Sequence, residues 1–267
     1  MVNLPAIDYT PLDHPEILRH LFHPRPDPRA AAAPEGSVDL TVPVAPGVSL
    51  GARLHPAGAT AATLLFFHGN GEIVADYDDL GPLYARLGIN FLVVDYRGYG
   101  RSGGRPSVST MMQDAHAVFG FVRDYLAGKG WGGPLLAMGR SLGSASALAL
   151  AAGCRDAIAG LIIESGFAFA APLLRLLGVD TDVIGVQGLQ IFDNIDKIRG
   201  FDRPTLIIHA EHDHIIPFSD GQALYDASPA SDKTLLPIPA ANHNDIFLHG
   251  LEAYLQAVQA LVGRVAD

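Results

Sequence analysis

Apolar residues in this chain fall into short continuous runs separated by longer stretches of helical spacing. TLLFF (63–67), FLVV (91–94), residues 135–138, GLII (160–163), TLIIH (205–209) and TLLPI (234–238) carry no formal charge, the pattern of strands buried on both faces. Residues 75–87, 109–126 and 245–262 between and after them read as helices, and 145–152 is a run of small and apolar residues with the same assignment. Ser109 is placed to cap the second of these helices. Upstream, 38–44 and 48–54 are β-rich and joined by Ala45-Pro46-Gly47, a hairpin turn. This alternation predicts an α/β fold: a mostly parallel central sheet, an antiparallel hairpin on its N-terminal side and helices on both faces. Reactive groups in such sheets gather at the carboxyl ends of the strands.

Two intervals break the rhythm. Residues 1–37 are rich in proline and alanine and are expected to form a surface arm, with one short helix near 16–21 started by Pro15. Residues 167–200 mix apolar pieces (LLRLL, GLQIF) with glycines and contain no strong strand. They are expected to be a cap-like insertion over the strand ends, where connections shape substrate pockets. The expected organisation is therefore the arm followed by one domain over 38–267.

The chemistry centres on LLAMGRSLGSASALALA (135–151), a strand, a sharp turn and a helix with Ser141 at the apex. Glycines two positions either side of the serine suit a turn too crowded for a Cβ. The helix that follows presents free amides to negative charge. A serine hydroxyl becomes a nucleophile only when a base takes its proton, and the base needs an orienting acid. Asp213 follows the 205–209 strand and His243 the 234–238 strand. The order Ser141, Asp213, His243 is that of a hydrolase sheet with a nucleophile elbow. Glu164, at the end of GLII, competes for the acid position, while Asp245 reads as a charge at a helix start. An oxyanion hole needs two convergent N–H groups. The loop His68-Gly69-Asn70-Gly71 offers Asn70, with Gly69 and Gly71 as alternatives, and the elbow offers Leu142. His68 reads as a loop brace. Arg140 reads as holding the elbow or meeting a substrate carboxylate.

Composition narrows the partners. The chain has 267 residues, 49% hydrophobic and 17% charged, enough for one large core. A net charge of −10 argues against nucleic acid or an anionic membrane surface as partner. No apolar run reaches the roughly 18 residues of a membrane span. The first residues do not read as a signal peptide, and the single Cys154, expected to pack as a small apolar residue, fits a reducing, cytoplasmic setting. Oligomeric state is not written in the pattern.

Two rival chemistries are visible. Gly98-Tyr99-Gly100-Arg101-Ser102-Gly103 matches a dinucleotide-binding fingerprint, but that motif should open a helix and here the loop runs on to Ser107. His209, His212 and His214 crowd one strand end beside Glu211 and Asp213, which raises zinc. Along an extended chain His209 points away from the other two, and no HExxH is present.

Taken together, FFHGNGE, VVDYRGYGRSGG, GRSLGS, HAEHDHIIP and ANHND, in this order, resemble the α/β-hydrolase superfamily over roughly residues 38–262. More narrowly they are similar to its serine-aminopeptidase-like group of small esterases and acyl hydrolases. The resemblance implies an α/β-hydrolase fold and a Ser-His-Asp triad of Ser141, His243 and Asp213. It also implies no metal, no organic cofactor, and a small-molecule ester or related acyl substrate. An aminopeptidase, amidase or thioesterase on the same triad, or a non-catalytic binding protein, are the alternatives.

Overall fold

The computed structural model describes residues 7–28, 33–185 and 192–266. Its sheet has eight strands: β1 (Val38–Ala45), β2 (Val48–His55), β3 (Thr63–Phe67), β4 (Asn90–Val94), β5 (Leu135–Arg140), β6 (Gly160–Glu164), β7 (Thr205–Ala210) and β8 (Lys233–Ile238). Their spatial order is β1-β2-β4-β3-β5-β6-β7-β8. β2 is antiparallel to both β1 and β4, and every other pair is parallel, as the apolar runs predict. β5 runs on past Met138, because Gly139 and Arg140 pair with Ile163 and Glu164. The strand thus ends directly against Ser141.

The helices are α1 (Pro15–Leu21), α2 (Gly81–Arg86), α3 (Val108–Gly128), α4 (Gly143–Gly153), α5 (Ala170–Leu176), α6 (Thr181–Ile184), α7 (Asn194–Arg199), α8 (Phe218–Ala227) and α9 (Ile246–Ala266). Besides α5, α6 and α7, which lie in an interval the sequence reading left without assigned elements, three differ from it. Ser107, not Ser109, caps α3: its hydroxyl accepts from Thr110 N at 3.2 Å, while Ser109 N donates to Asp13 of the arm. The 75–87 stretch is not one helix but a 3₁₀ turn (Val74–Tyr77) followed by α2. Pro82 can occupy a first turn but not a helix interior, which sets the break. α8 was not predicted, because Gly221 and polar residues interrupt its periodicity.

Successive residues of β3 face opposite layers. Leu65 and Phe67 join Val118, Leu148 and Ile198 on one side, and Leu64 and Phe66 join Tyr84, Tyr254 and Val258 on the other. α4 is buried along nearly its whole length. α7, at the end of the expected insertion, packs on α4 and α8 within the helical layer, while α5 touches α1 of the arm. Most of GLQIF lies outside the described residues. Ile17, Leu21 and Phe22 pin the arm into the core, and Pro26 pairs with Gly100.

Candidate active site

The elbow is built by close backbone approach. Ser141 has φ of 51°, a left-handed conformation that a residue with a side chain rarely adopts. A Cβ on Gly139 would lie 2.2 Å from Gly143 O, and one on Gly143 would lie 2.1 Å from Phe67 O. No side chain fits either point. The strained turn is tied down on both sides: Ser141 N donates to Glu164 O at 2.9 Å, and Ser144 Oγ donates to Ser141 O at 2.6 Å.

Three loops then converge. His243 Nε2 lies 3.0 Å from Ser141 Oγ, and His243 Nδ1 lies 2.7 Å from Asp213 Oδ2. The residues come from the ends of β5, β7 and β8, and Ser141 and His243 are both buried. Burial disfavours the charged form of Asp213. Hydrogen bonds from His243, Ile216 N (2.8 Å) and Ile215 N (3.0 Å) outweigh it and hold the carboxyl below its ordinary range. His209 lies behind this loop, buried, its Nε2–H donating to Ile216 O at 2.9 Å. Desolvation lowers its pKa, so it stays neutral and structural. His212 and His214 are exposed, and among the described residues no group of three His, Cys, Asp or Glu is arranged to hold a metal.

Glu164, the rival acid, is engaged elsewhere. Its Oε1 accepts from Arg140 Nε at 3.0 Å and its Oε2 from Tyr254 O–H at 2.7 Å. Burial pushes its carboxyl up despite the arginine. Arg140 also pairs with Glu72 and donates from Nη2 to His243 O at 2.8 Å. One buried guanidinium therefore ties the residue before Ser141 to the backbone of His243. Glu72 accepts in turn from Tyr77 O–H and Gly69 N, both at 2.6 Å. Asp245 accepts from Asn242 N at 2.6 Å, so it braces the histidine loop as well as starting α9.

The Asn70 loop faces the elbow. Among the described residues, neither Asn70 N–H nor Leu142 N–H has an acceptor. The Asn70 side chain is held by the arm and by the loop after β4: its Oδ1 accepts from His23 N (2.9 Å) and Tyr99 O–H (2.7 Å), and its Nδ2 donates to His23 Nδ1 (2.8 Å). Arg25 Nε donates to Gly71 O at 2.7 Å. His68 is buried beneath, its Nδ1–H donating to Gly69 O, with Asp95 Oδ1 3.3 Å from its other nitrogen. Asp95 Oδ1 accepts from Val74 N at 2.8 Å, and a Cβ on Gly100 would fall 2.1 Å from Oδ2, so the glycine-rich loop packs on a carboxylate.

Sequence reasoning missed His23 and Tyr99. Nothing local marks them, since their partner Asn70 is distant in the chain. Glu72 was open to notice as the last residue of HGNGE. Cys154 is half-buried against the core, 3.6 Å from His116 Nδ1.

A cavity of about 320 Å³ opens on Ser141 and His243. Leu21 and His23 of the arm, Leu173 and Leu177 of the 167–200 interval, and Ile215 form much of its wall. Beside it lies a larger cavity of about 470 Å³, and Glu72, Arg140 and Asn244 line both.

Known proteins share this architecture. A family model described as serine aminopeptidase, S33 matches residues 58–179, a span that includes Asn70, Ser141 and Leu142 and stops before Asp213 and His243. The chain is 31% identical over 222 residues to alpha/beta hydrolase domain-containing protein aho-3 of Caenorhabditis elegans, covering 80% of this chain and 61% of that one. It is 32% identical over 206 residues to human alpha/beta hydrolase domain-containing protein 17B, covering 76% and 66%. The chain spans about three fifths of the length of the first of these relatives. Among solved structures, a thermophilic esterase from Thermogutta terrifontis superposes with a TM-score of 0.64 at 21% identity, covering 86% of this chain and 99% of that one. A ferulic-acid-bound protein from Butyrivibrio proteoclasticus gives 0.68 at 19%, covering 85% and 100%. The sheet order, the elbow and these likenesses agree: the chain belongs to the α/β-hydrolase superfamily, alongside its serine-aminopeptidase-like members.

Proposed function

We propose that the protein is a serine hydrolase that cleaves small carboxylic esters through an acyl-enzyme, with Ser141, His243 and Asp213 as its triad. The observation that carries this reading is the unbroken chain from Ser141 Oγ to His243 Nε2 (3.0 Å) and from His243 Nδ1 to Asp213 Oδ2 (2.7 Å). Ser141 Oγ bonds to the ester carbonyl carbon as its proton passes to His243 Nε2, and the carbonyl π pair moves onto oxygen. Collapse of this intermediate expels the alkoxide, which takes the proton from His243. Water then attacks the acyl-enzyme, again deprotonated by His243, and Ser141 leaves with that proton while the acid departs. Asp213 fixes Nδ1–H and stabilises the imidazolium. The amides of Leu142 and Asn70 receive the oxyanion, a contribution on the order of 3 to 4 kcal/mol per donor to the transition state.

The arm and the 167–185 segment serve one active domain as walls of the acyl cavity. No helix among the described residues is long and apolar enough to cross a membrane. The acidic surface and lone cysteine favour a cytoplasmic setting and a small-molecule partner. The test is hydrolysis of p-nitrophenyl acetate and butyrate together with labelling by a fluorophosphonate. Wild type turns over and labels once at Ser141, and Ser141→Ala does neither. Turnover persisting in Ser141→Ala sinks the mechanism, and an unlabelled, inactive wild type points to a binding protein.

A further inference from the structure

The larger cavity lies between α2 and the start of α9. Leu80, Leu83, Phe247 and Leu251 give it an apolar floor, and Asp76 and Asp79 stand at its rim. Glu72, Arg140 and Asn244 line both this cavity and the one that opens on Ser141, so the two adjoin along these side chains. Its charge is unbalanced. Arg140 is shared between Glu72 and Glu164, Arg25 pairs with Asp76, and Asp79 is exposed with no partner among the described residues. The region is net negative even with Glu164 protonated.

The chemistry of ester cleavage says which half of a substrate belongs there. The departing alkoxide takes its proton from His243 Nε2, so it must sit on the imidazole side of the scissile carbon. Asn244, the next residue, is the wall shared with the larger cavity, whereas Leu21, Leu173 and Leu177 line only the smaller one. We propose that the larger cavity is the leaving-group subsite and that it prefers an apolar alcohol bearing a cation, such as an amino alcohol or its quaternary analogue. The apolar floor takes the hydrocarbon, and the excess negative charge centred on Asp79 takes the cation and rejects an anionic leaving group. This assignment rests on the serine-hydrolase reading.

The test uses three acetyl esters with one acyl group: acetylcholine, its neutral isostere 3,3-dimethylbutyl acetate, and ethyl acetate. Each kcat/KM is divided by that ester's rate of hydroxide hydrolysis. Both bulky esters should exceed ethyl acetate, and acetylcholine should exceed its isostere at least about threefold at low ionic strength, the size a partly exposed charge pair supports. That ratio should shrink in Asp79→Asn and in about 0.5 M salt. Leu83→Trp should lower both bulky esters relative to ethyl acetate. Asp79 is exposed, so its substitution leaves the fold intact. Equal rates for cation and isostere, or a ratio indifferent to Asp79→Asn, overturn this proposal while fluorophosphonate labelling of Ser141 leaves the hydrolase reading standing. Absence of both hydrolysis and labelling overturns the two together.

Discussion

The two sides of the candidate active site are held by different means. On the nucleophile side, Ser141 is fixed by its own neighbours: Gly139 and Gly143 let the backbones meet, and Glu164 O and Ser144 Oγ lock the turn. On the oxyanion side, the Asn70 loop is held from a distance by His23, Arg25 and Tyr99. The first side is rigid because the sheet continues directly into it. The second depends on side chains brought to it from the arm and from the loop after β4. On the proposed mechanism, the difference separates the residues that would carry the chemistry from those that would tune it.

The comparison can be broken most sharply on the nucleophile side. Asp213→Asn should reduce kcat by about 10³- to 10⁴-fold, because an amide no longer fixes the His243 tautomer. Glu164→Gln should cost far less rate, since Glu164 touches Arg140 and Tyr254, not the base. A reversed ranking in steady-state kinetics would return the acid role to Glu164. The same carboxylate has a pH signature. Its folded pKa lies below the unfolded one, so its stabilising contribution is complete above about pH 4 and is lost as pH falls through the lowered value. Acid unfolding of Asp213→Asn should lack that component.

Next in size is Arg140→Met, which strands Glu72 and Glu164 without their counter-charge. Breaking a buried pair from one side costs about 3 to 5 kcal/mol, a fall in Tm of roughly 5 to 9 °C for a chain of this length. The double variant with Glu164→Gln should recover part of that loss in thermal unfolding. No recovery would mean that the guanidinium acts mainly through His243 O.

The oxyanion side should respond least. His23→Ala and Tyr99→Phe each loosen the Asn70 side chain and should lower kcat about three- to tenfold, with Tm nearly unchanged for His23→Ala. A fall in Tm with unaltered kcat would reduce the arm to a packing element.

This contrast also explains what could be read from the chain. The sheet was legible because strands buried on both faces leave continuous apolar runs, and its ends differ from expectation by a few residues at most. Ser141 was legible because its glycines are compelled by backbone contacts two residues away. Asp213 and His243 were legible through their loops, each placed after a strand. The role of Glu164 was not, because an acid at the end of β6 has two partners within reach and only packing chooses Arg140 and Tyr254. His23 left no trace, being one histidine in an irregular arm whose value depends on a loop brought near by folding. α8 escaped because tertiary burial of Leu224, rather than periodicity, holds it.

The strap formed by His23 and Arg25 has a practical side for anyone who divides or recombines such proteins. A cut placed at β1, where the sheet begins, would keep every strand together with Ser141, Asp213 and His243, yet part the Asn70 loop from the contacts of His23 and Arg25. On the proposed mechanism, the functional border therefore lies upstream of the point where the sheet begins. Arms exchanged between related chains, with the sheet left alone, become a means of resetting how firmly the oxyanion is received.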